Sequence, residues 1–170
     1  MDNLDVNRLW QNYLDPITKH YVDFTGRVGR PQFWYFMLAD IVIAIGVTIV
    51  GSIIGLRSLS DLYSLALLLP TLGLTVRRLQ DTGKPGSWVL IAFIPIVLMI
   101  LLGLVSILGG ALGMLGFMFV MMPIISLAAL AAAAALIYLC AQPGQPEANQ
   151  YGPVPPVFEP GAPKDRKSVV

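Results

Sequence analysis

The chain has 170 residues, of which 56% are hydrophobic and only 12% are charged. A soluble domain carries roughly 25% charged residues, so this composition excludes a water-soluble globule and indicates a membrane protein. The formal net charge of +1 argues against a broad nucleic-acid-binding face. One cysteine and one histidine are too few for an internal disulfide or a structural zinc site, and no metal or cofactor is expected.

Residues 1–24 are predicted to form an amphipathic segment on the cytoplasmic side. Apolar residues recur there at steps of three and four, the period of a helix with one apolar face. They are Val6, Trp10, Tyr13, Ile17, Tyr21 and Phe24. Asp15 followed by Pro16 is typical of an N-cap and a first helical turn, so two short helices are predicted. The segment either lies on the membrane surface or covers the cytoplasmic ends of the bundle.

Four membrane-spanning helices are predicted near residues 34–56, 58–76, 88–108 and 115–140. A helix rises about 1.5 Å per residue, so roughly 20 residues cross a hydrocarbon core of about 30 Å. The second stretch is short and needs its polar flanks to complete the crossing. The last two stretches are separated by Gly109, Gly110 and Gly113, which mark a reversal. The predicted fold class is therefore all-α, a multi-pass transmembrane bundle with a short amphipathic segment before it.

The basic residues of the chain fall on one side of this topology. They precede the first span, separate spans two and three, and close the carboxy-terminal tail, whereas Arg57 alone falls on the other side. Lys and Arg near span ends stay in the cytoplasm, so both termini are predicted to be cytoplasmic in a bacterial cytoplasmic membrane. The proline-rich composition after Cys140 predicts that residues 157–170 form a flexible tail.

Three ordered motifs resemble those of a known family. They are FTGRVGRPQFW at residues 24–34, RRLQDTG at residues 77–83 with Trp88 after it, and NQYGP at residues 149–153. Together they are similar to the signature of the DUF805 family of small bacterial inner-membrane proteins, whose activity is unassigned. The resemblance implies a membrane domain over residues 25–156. Gln80 departs from the family pattern, which usually has His there, and the apolar stretch after Trp88 is longer than the family's.

With four spans, all three motifs reach the cytoplasmic face and predict a polar cluster there. Carboxylates pair well with guanidinium groups, and glycines suit the tight turn after the second span. The predicted members are Arg27, Arg30, Arg77, Arg78, Asp81, Gly83, Asn149 and Tyr151. The cluster is expected to bind anionic lipid headgroups or a partner protein. The alternative is that its cations act only as topology signals and headgroup anchors.

Asp40 is the one carboxylate inside the apolar part of a predicted span, since Asp61 belongs to the polar flank of the second, and a charge there is costly and needs a partner. Arg77 or Arg78 is the expected partner. Asp40 either forms a structural pair or is a proton or cation site. The second interpretation, together with a proline in each of spans two, three and four, makes a small-solute transporter the alternative function.

Small residues in the spans would also allow a homo-oligomer. No nucleophile, base and oxyanion site can be assembled, so no enzyme is expected.

Overall fold

The computed structural model describes residues 6–156. Within this range the chain forms six α-helices, one 3-10 segment and one π-helical turn, which confirms the predicted all-α class. The elements are α1 (Val6–Thr18), α2 (Arg30–Ile53), α3 (Ser58–Asp81), the 3-10 segment (Gly86–Phe93), α4 (Ile94–Leu108), α5 (Gly110–Gly116), the π turn (Phe117–Met121) and α6 (Met122–Ala141). The predicted tail at residues 157–170 lies outside the described residues.

Four stretches in the described range are long and apolar enough to cross a membrane, as predicted. They are Arg30–Ile53, Ser58–Asp81, Gly86–Leu108 and Gly110–Ala141. The second is not short, because α3 continues through its two arginines to Asp81 and has 24 residues. Arg and Leu favour helix, and a guanidinium that is satisfied inside the protein need not end the helix at the edge of the lipid.

The reversal between the third and fourth stretches lies at Gly109 and Gly110, where it was predicted. Gly110 has φ +60°, a left-handed conformation that glycine adopts without strain. Gly113 belongs to α5 rather than to the turn. A Cβ at Gly113 would lie 2.4 Å from the Ser106 carbonyl oxygen, so this glycine allows α5 to pack closely against α4.

The prediction of two short helices before the first span is wrong, because α1 runs through Pro16 as one helix. Proline in a helix removes one hydrogen bond, to the carbonyl four residues earlier, and the packing of α1 on α2 and α3 compensates for this loss. The Asp15 carbonyl accepts the Lys19 N–H at 3.0 Å and closes the last turn. On the buried face, Tyr13 is 5% exposed and packs with α2 and α3, so α1 covers this helix pair.

The buried core lies at the end of the bundle where α2 begins and where α3 and α6 end. Its members are Tyr13, Val28, Phe33, Phe36, Leu67, Leu74, Val76, Leu79, Val89, Leu139 and Cys140. By contrast, Pro95 is the one buried residue of α4. Apart from Ile125 in α6, most apolar side chains elsewhere face outward, as they do on helices surrounded by lipid. The best-packed part of the described chain is therefore its polar end.

A substitution at Gly73 in α3 tests how closely the segment before α2 packs on α3, because a Cβ there would lie 2.8 Å from the Asp23 carbonyl oxygen. We expect Gly73→Ala to lower the free energy of unfolding by on the order of 1–3 kcal/mol, since backbone rather than a flexible side chain must move. Thermal unfolding in lipid nanodiscs measures this. Gly46→Ala is the matched control, because a Cβ at Gly46 in α2 would have no neighbour within 4 Å. Equal stability of the two variants would contradict the packing of the segment before α2 on α3.

Candidate functional site: a buried arginine junction

Two arginines share one carboxylate at the polar end of the bundle. Arg27 lies just before α2, and Arg78 and Asp81 lie one turn apart at the end of α3. Arg27 Nε donates to Asp81 Oδ1 at 3.0 Å, and Arg78 Nη1 donates to Asp81 Oδ2. The three side chains are 1%, 0% and 4% exposed, respectively. We call Arg27, Arg78 and Asp81 the arginine junction.

Arg78 also satisfies the carbonyl end of α6. Its Nε donates to the Cys140 carbonyl oxygen at 2.8 Å, and its Nη2 donates to the Gln142 carbonyl oxygen. The last carbonyls of a helix have no partner within that helix, and the negative end of the helix dipole favours a cation there. Arg30 adds a longer contact, 3.5 Å, from Nη1 to the Ala141 carbonyl oxygen. The arginines therefore cap α6 in place of a local capping motif.

Arg27 binds the segment that follows α6, residues 142–153, which we call the tail segment. Its Nη1 donates to the Glu147 carbonyl oxygen at 2.6 Å, and its Nη2 donates to that of Gln145 at 2.5 Å. The Gln145 N–H in turn donates to the Asp81 carbonyl oxygen at 2.9 Å. The junction thus holds the tail segment by its backbone, so these contacts depend little on the side chains of the segment.

Two glycines make room for this contact. A Cβ at Gly144 would lie 2.1 Å from Asp81 Oδ2, and one at Gly83 would lie 2.4 Å from Gln145 Nε2. Gly83 also has φ +78°, which closes the turn after α3 as predicted. Gly144 was not among the predicted site residues. In the sequence it looks like an ordinary helix-breaking glycine within a proline-rich stretch, and its contact with Asp81 is visible only in the fold.

Asn149 shapes the far end of the tail segment. Its Nδ2 donates to the Gln80 carbonyl oxygen at 2.9 Å, and its Oδ1 accepts the Tyr151 N–H at 2.9 Å. Gln80, which replaces the usual histidine of the motif, donates from Nε2 to the Phe24 carbonyl oxygen at 3.1 Å. The side chains of Asn149 and Gln80 therefore connect the tail segment, α3 and the segment before α2.

All eight predicted cluster residues lie at this end of the bundle, but their environments differ. Arg27, Arg78 and Asp81 are buried, whereas Arg30 is exposed. The Arg77 carbonyl oxygen accepts the Val28 N–H at 3.2 Å, and its partly buried side chain has an Nε atom that no described group bonds. The pairing of Asp81 with arginines of its own cluster was predicted, but the burial of the three junction side chains by contacts within the chain was not.

The predicted pairing of Asp40 with Arg77 or Arg78 is wrong. Asp40 Oδ1 accepts the Tyr63 hydroxyl at 2.7 Å, whereas Arg78 bonds Asp81. Asp81 lies one turn from Arg78 on the same helix, while Asp40 lies ten residues into α2, about 15 Å from its start. Arg78 therefore pairs with Asp81, the nearer carboxylate.

The segment before α2 carries a second polar contact, at Asp23. The Thr25 hydroxyl and N–H donate to Asp23 Oδ1 at 2.7 and 3.0 Å, and His20 Nδ1 lies 2.8 Å from Oδ2. These hydrogen bonds, the one from the Thr25 side chain first, lower the pKa of Asp23 to about 2. The lowered pKa stabilises the fold above roughly pH 4, and this contribution disappears as the pH falls to about 2.

Asp81→Asn tests the junction, because it leaves two buried guanidinium groups without a carboxylate. Breaking a buried pair costs about 3–5 kcal/mol, so we expect the end of α6 to open more often. Cys140 is the one cysteine of the chain and is fully buried, and its carbonyl bonds Arg78. Its maleimide labelling in nanodiscs should accelerate by at least about tenfold.

Asp61→Asn is the matched control, because Asp61 is an exposed acid in the first turn of the same helix. Labelling of Cys140 should keep its original rate in this variant. Slow labelling in both variants would show that Asp81 does not hold the end of α6 in place.

Known proteins resemble this chain in sequence. The family model described as "Protein of unknown function (DUF805)" matches residues 21–153. "Inner membrane protein YhaI" of Escherichia coli K12 is 40% identical over 83 residues, which cover 48% of this chain and 70% of that protein. "Inner membrane protein YhaH" of the same strain is 29% identical over 87 residues, covering 48% and 72%. "Uncharacterized protein YiiR" is 36% identical over 81 residues, covering 45% and 53%. No solved structure matches the chain significantly.

Proposed function

The chain belongs to the DUF805 family, and we propose that it is a non-catalytic binding protein of the bacterial inner membrane whose cytoplasmic face engages anionic lipid headgroups. The names of the two relatives YhaI and YhaH support the choice of membrane. The side on which the cations gather supports an orientation with both termini in the cytoplasm. In this proposal the polar end of the bundle is the cytoplasmic end.

The observation that carries the proposal is the exposure of two cations beside the junction. Arg30 is exposed at the first turn of α2, and Lys84 is partly exposed in the turn after α3. Arg30 contacts the Ala141 carbonyl oxygen, and Lys84 Nζ donates to Gln142 Oε1 at 2.8 Å. Adjacent residues at the end of α6 therefore bring the two cations to one edge of the bundle, which we call the cationic rim.

The charge balance at this end supports an anionic ligand. The junction contains two arginines and one carboxylate and the rim contains two cations, which gives three positive charges. Arg77 adds one more, and Asp23 and Glu147 offset two, so a net positive charge of two remains. Arginine offers a planar set of donors suited to phosphate oxygens. Trp88, at the start of the third stretch, is 41% exposed, as expected of an aromatic residue at the headgroup level. The buried arginines hold the rim in place, and the exposed cations make the contact.

The transporter alternative has less support. Pro70 lies inside α3, and Pro123 closely follows the π turn within the unbroken helical stretch Gly110–Ala141, whereas Pro95 lies where the 3-10 segment changes to α4. Membrane helices tolerate proline readily, so these positions do not by themselves indicate hinges. The hinge argument for transport therefore rests on the prolines alone.

Removing both rim cations tests the proposal. Each cation near an anionic membrane surface contributes about 1 kcal/mol, so Arg30→Gln combined with Lys84→Gln should reduce retention of anionic lipid by on the order of tenfold. The measurement is mass spectrometry of the phosphatidylglycerol and cardiolipin that stay with the purified full-length protein, relative to phosphatidylethanolamine.

Arg57→Gln is the control, because Arg57 is an exposed cation at the opposite end of the bundle, before α3. It should leave retention unchanged. Equal retention by the double variant and the control would contradict lipid binding at the rim. A protein that stays bound to the wild type and is lost from the double variant would assign the rim to a protein partner instead.

A further inference from the structure

Three side chains from three helices are joined away from the polar end. Tyr63 of α3 donates to Asp40 Oδ1 of α2 at 2.7 Å, and its hydroxyl oxygen lies 2.8 Å from that of Tyr13 in α1. Tyr13 is 5% exposed, and its ring stacks on Phe36 with ring centroids 5.3 Å apart. We call Asp40, Tyr63 and Tyr13 the tyrosine triad. The function proposed above makes no use of it.

Among the described side chains, no cation pairs with Asp40. The titratable groups that face it are neutral phenols, Tyr63 from α3 and Tyr13 from α1. On its own helix the nearest charged residue is Arg30, about 15 Å away, and Asp61 of α3 is exposed. A carboxylate within a span is unfavourable without a cation, and such groups commonly mark proton or ion sites.

We propose that the tyrosine triad is a proton-binding site whose occupancy controls how firmly α1 is held. With Asp40 ionised, the Tyr13 hydroxyl donates to Tyr63 and the Tyr63 hydroxyl donates to Asp40, so both phenolic protons have acceptors. Uptake of one proton from the solvent converts the carboxylate to a carboxylic acid. The new O–H donates to the Tyr63 oxygen, and the Tyr63 proton turns toward the Tyr13 oxygen.

Reversal of these hydrogen bonds affects Tyr13 most. Its oxygen then accepts a hydrogen bond, and its own O–H has no acceptor within the triad. A buried donor without an acceptor is unfavourable, so the protonated site holds α1 less tightly. Trp10 lies on α1 beside Tyr13 and is 54% exposed, so its fluorescence reports a change in the surroundings of this helix.

The test follows Asp40 and Trp10 during one pH titration of the full-length protein in nanodiscs. Infrared difference spectra against Asp40→Asn identify the carboxylic-acid band of Asp40. Subtracting the emission of Trp10→Phe isolates the fluorescence of Trp10. We expect both signals to change with a single midpoint in the wild type.

Tyr63→Phe keeps the ring and removes the hydroxyl that connects Asp40 to Tyr13. In this variant Asp40 should still take up its proton, while Trp10 emission stays constant. Tyr138→Phe, at an exposed phenol in α6, is the control and should behave as the wild type.

Three results would overturn the proposal. One is an Asp40 that takes up no proton over the pH range in which the fold is intact. Another is a wild-type Trp10 emission that stays constant while Asp40 takes up its proton, which would mean that the proton binds without reversing the hydrogen bonds. The third is Trp10 emission that follows Asp40 equally well in Tyr63→Phe. None of these outcomes depends on lipid retention at the cationic rim.

Discussion

The carboxylate of Asp81, shared by Arg27 and Arg78, is the interaction on which the polar end depends. Removing three charged groups from water is unfavourable. A buried cluster of this kind is tolerated only when the guanidinium N–H groups that do not bond the carboxylate also have acceptors. Here backbone carbonyls supply them, at Cys140 and Gln142 for Arg78 and at Gln145 and Glu147 for Arg27. The planar fork of arginine allows one side chain to bond several of these oxygens at once, which lysine cannot do. One acid thereby joins the start of α2, the end of α3, the end of α6 and the tail segment.

This arrangement separates the charged groups that build the protein from those available to a ligand. Arg27 and Arg78 are buried and bonded within the chain, whereas Arg30 and Lys84 lie at the edge and retain exposure. The buried junction can position these two cations at one edge of the bundle without itself contacting a ligand. The tyrosine triad lies deeper along α2 and contacts α1, so it is independent of the rim in both position and chemistry.

Much of the architecture was predictable from the sequence, because length and apolarity determine membrane crossings and glycine marks the reversal at Gly109 and Gly110. The gathering of the three motifs at one end followed from an even number of crossings. The partner of Asp40 was not predictable, since the choice between Tyr63 and an arginine depends on which helix faces meet. Gly144 was missed for a similar reason: its importance comes from Asp81, which is distant in sequence. The continuity of α1 through Pro16 depends on packing against α2 and α3, which overrides a local helix-ending signal.

A double-mutant cycle between Arg27 and Asp81 tests the shared carboxylate most directly. Free energies of unfolding in one detergent would be measured for the wild type, Arg27→Gln, Asp81→Asn and the double variant. A buried, hydrogen-bonded pair should give a coupling energy of about 2 kcal/mol or more, because the second substitution removes a partner that the first has already left unpaired. Effects that add to within about 0.5 kcal/mol would show that the two residues act independently, and would contradict the junction as the organising contact of the polar end.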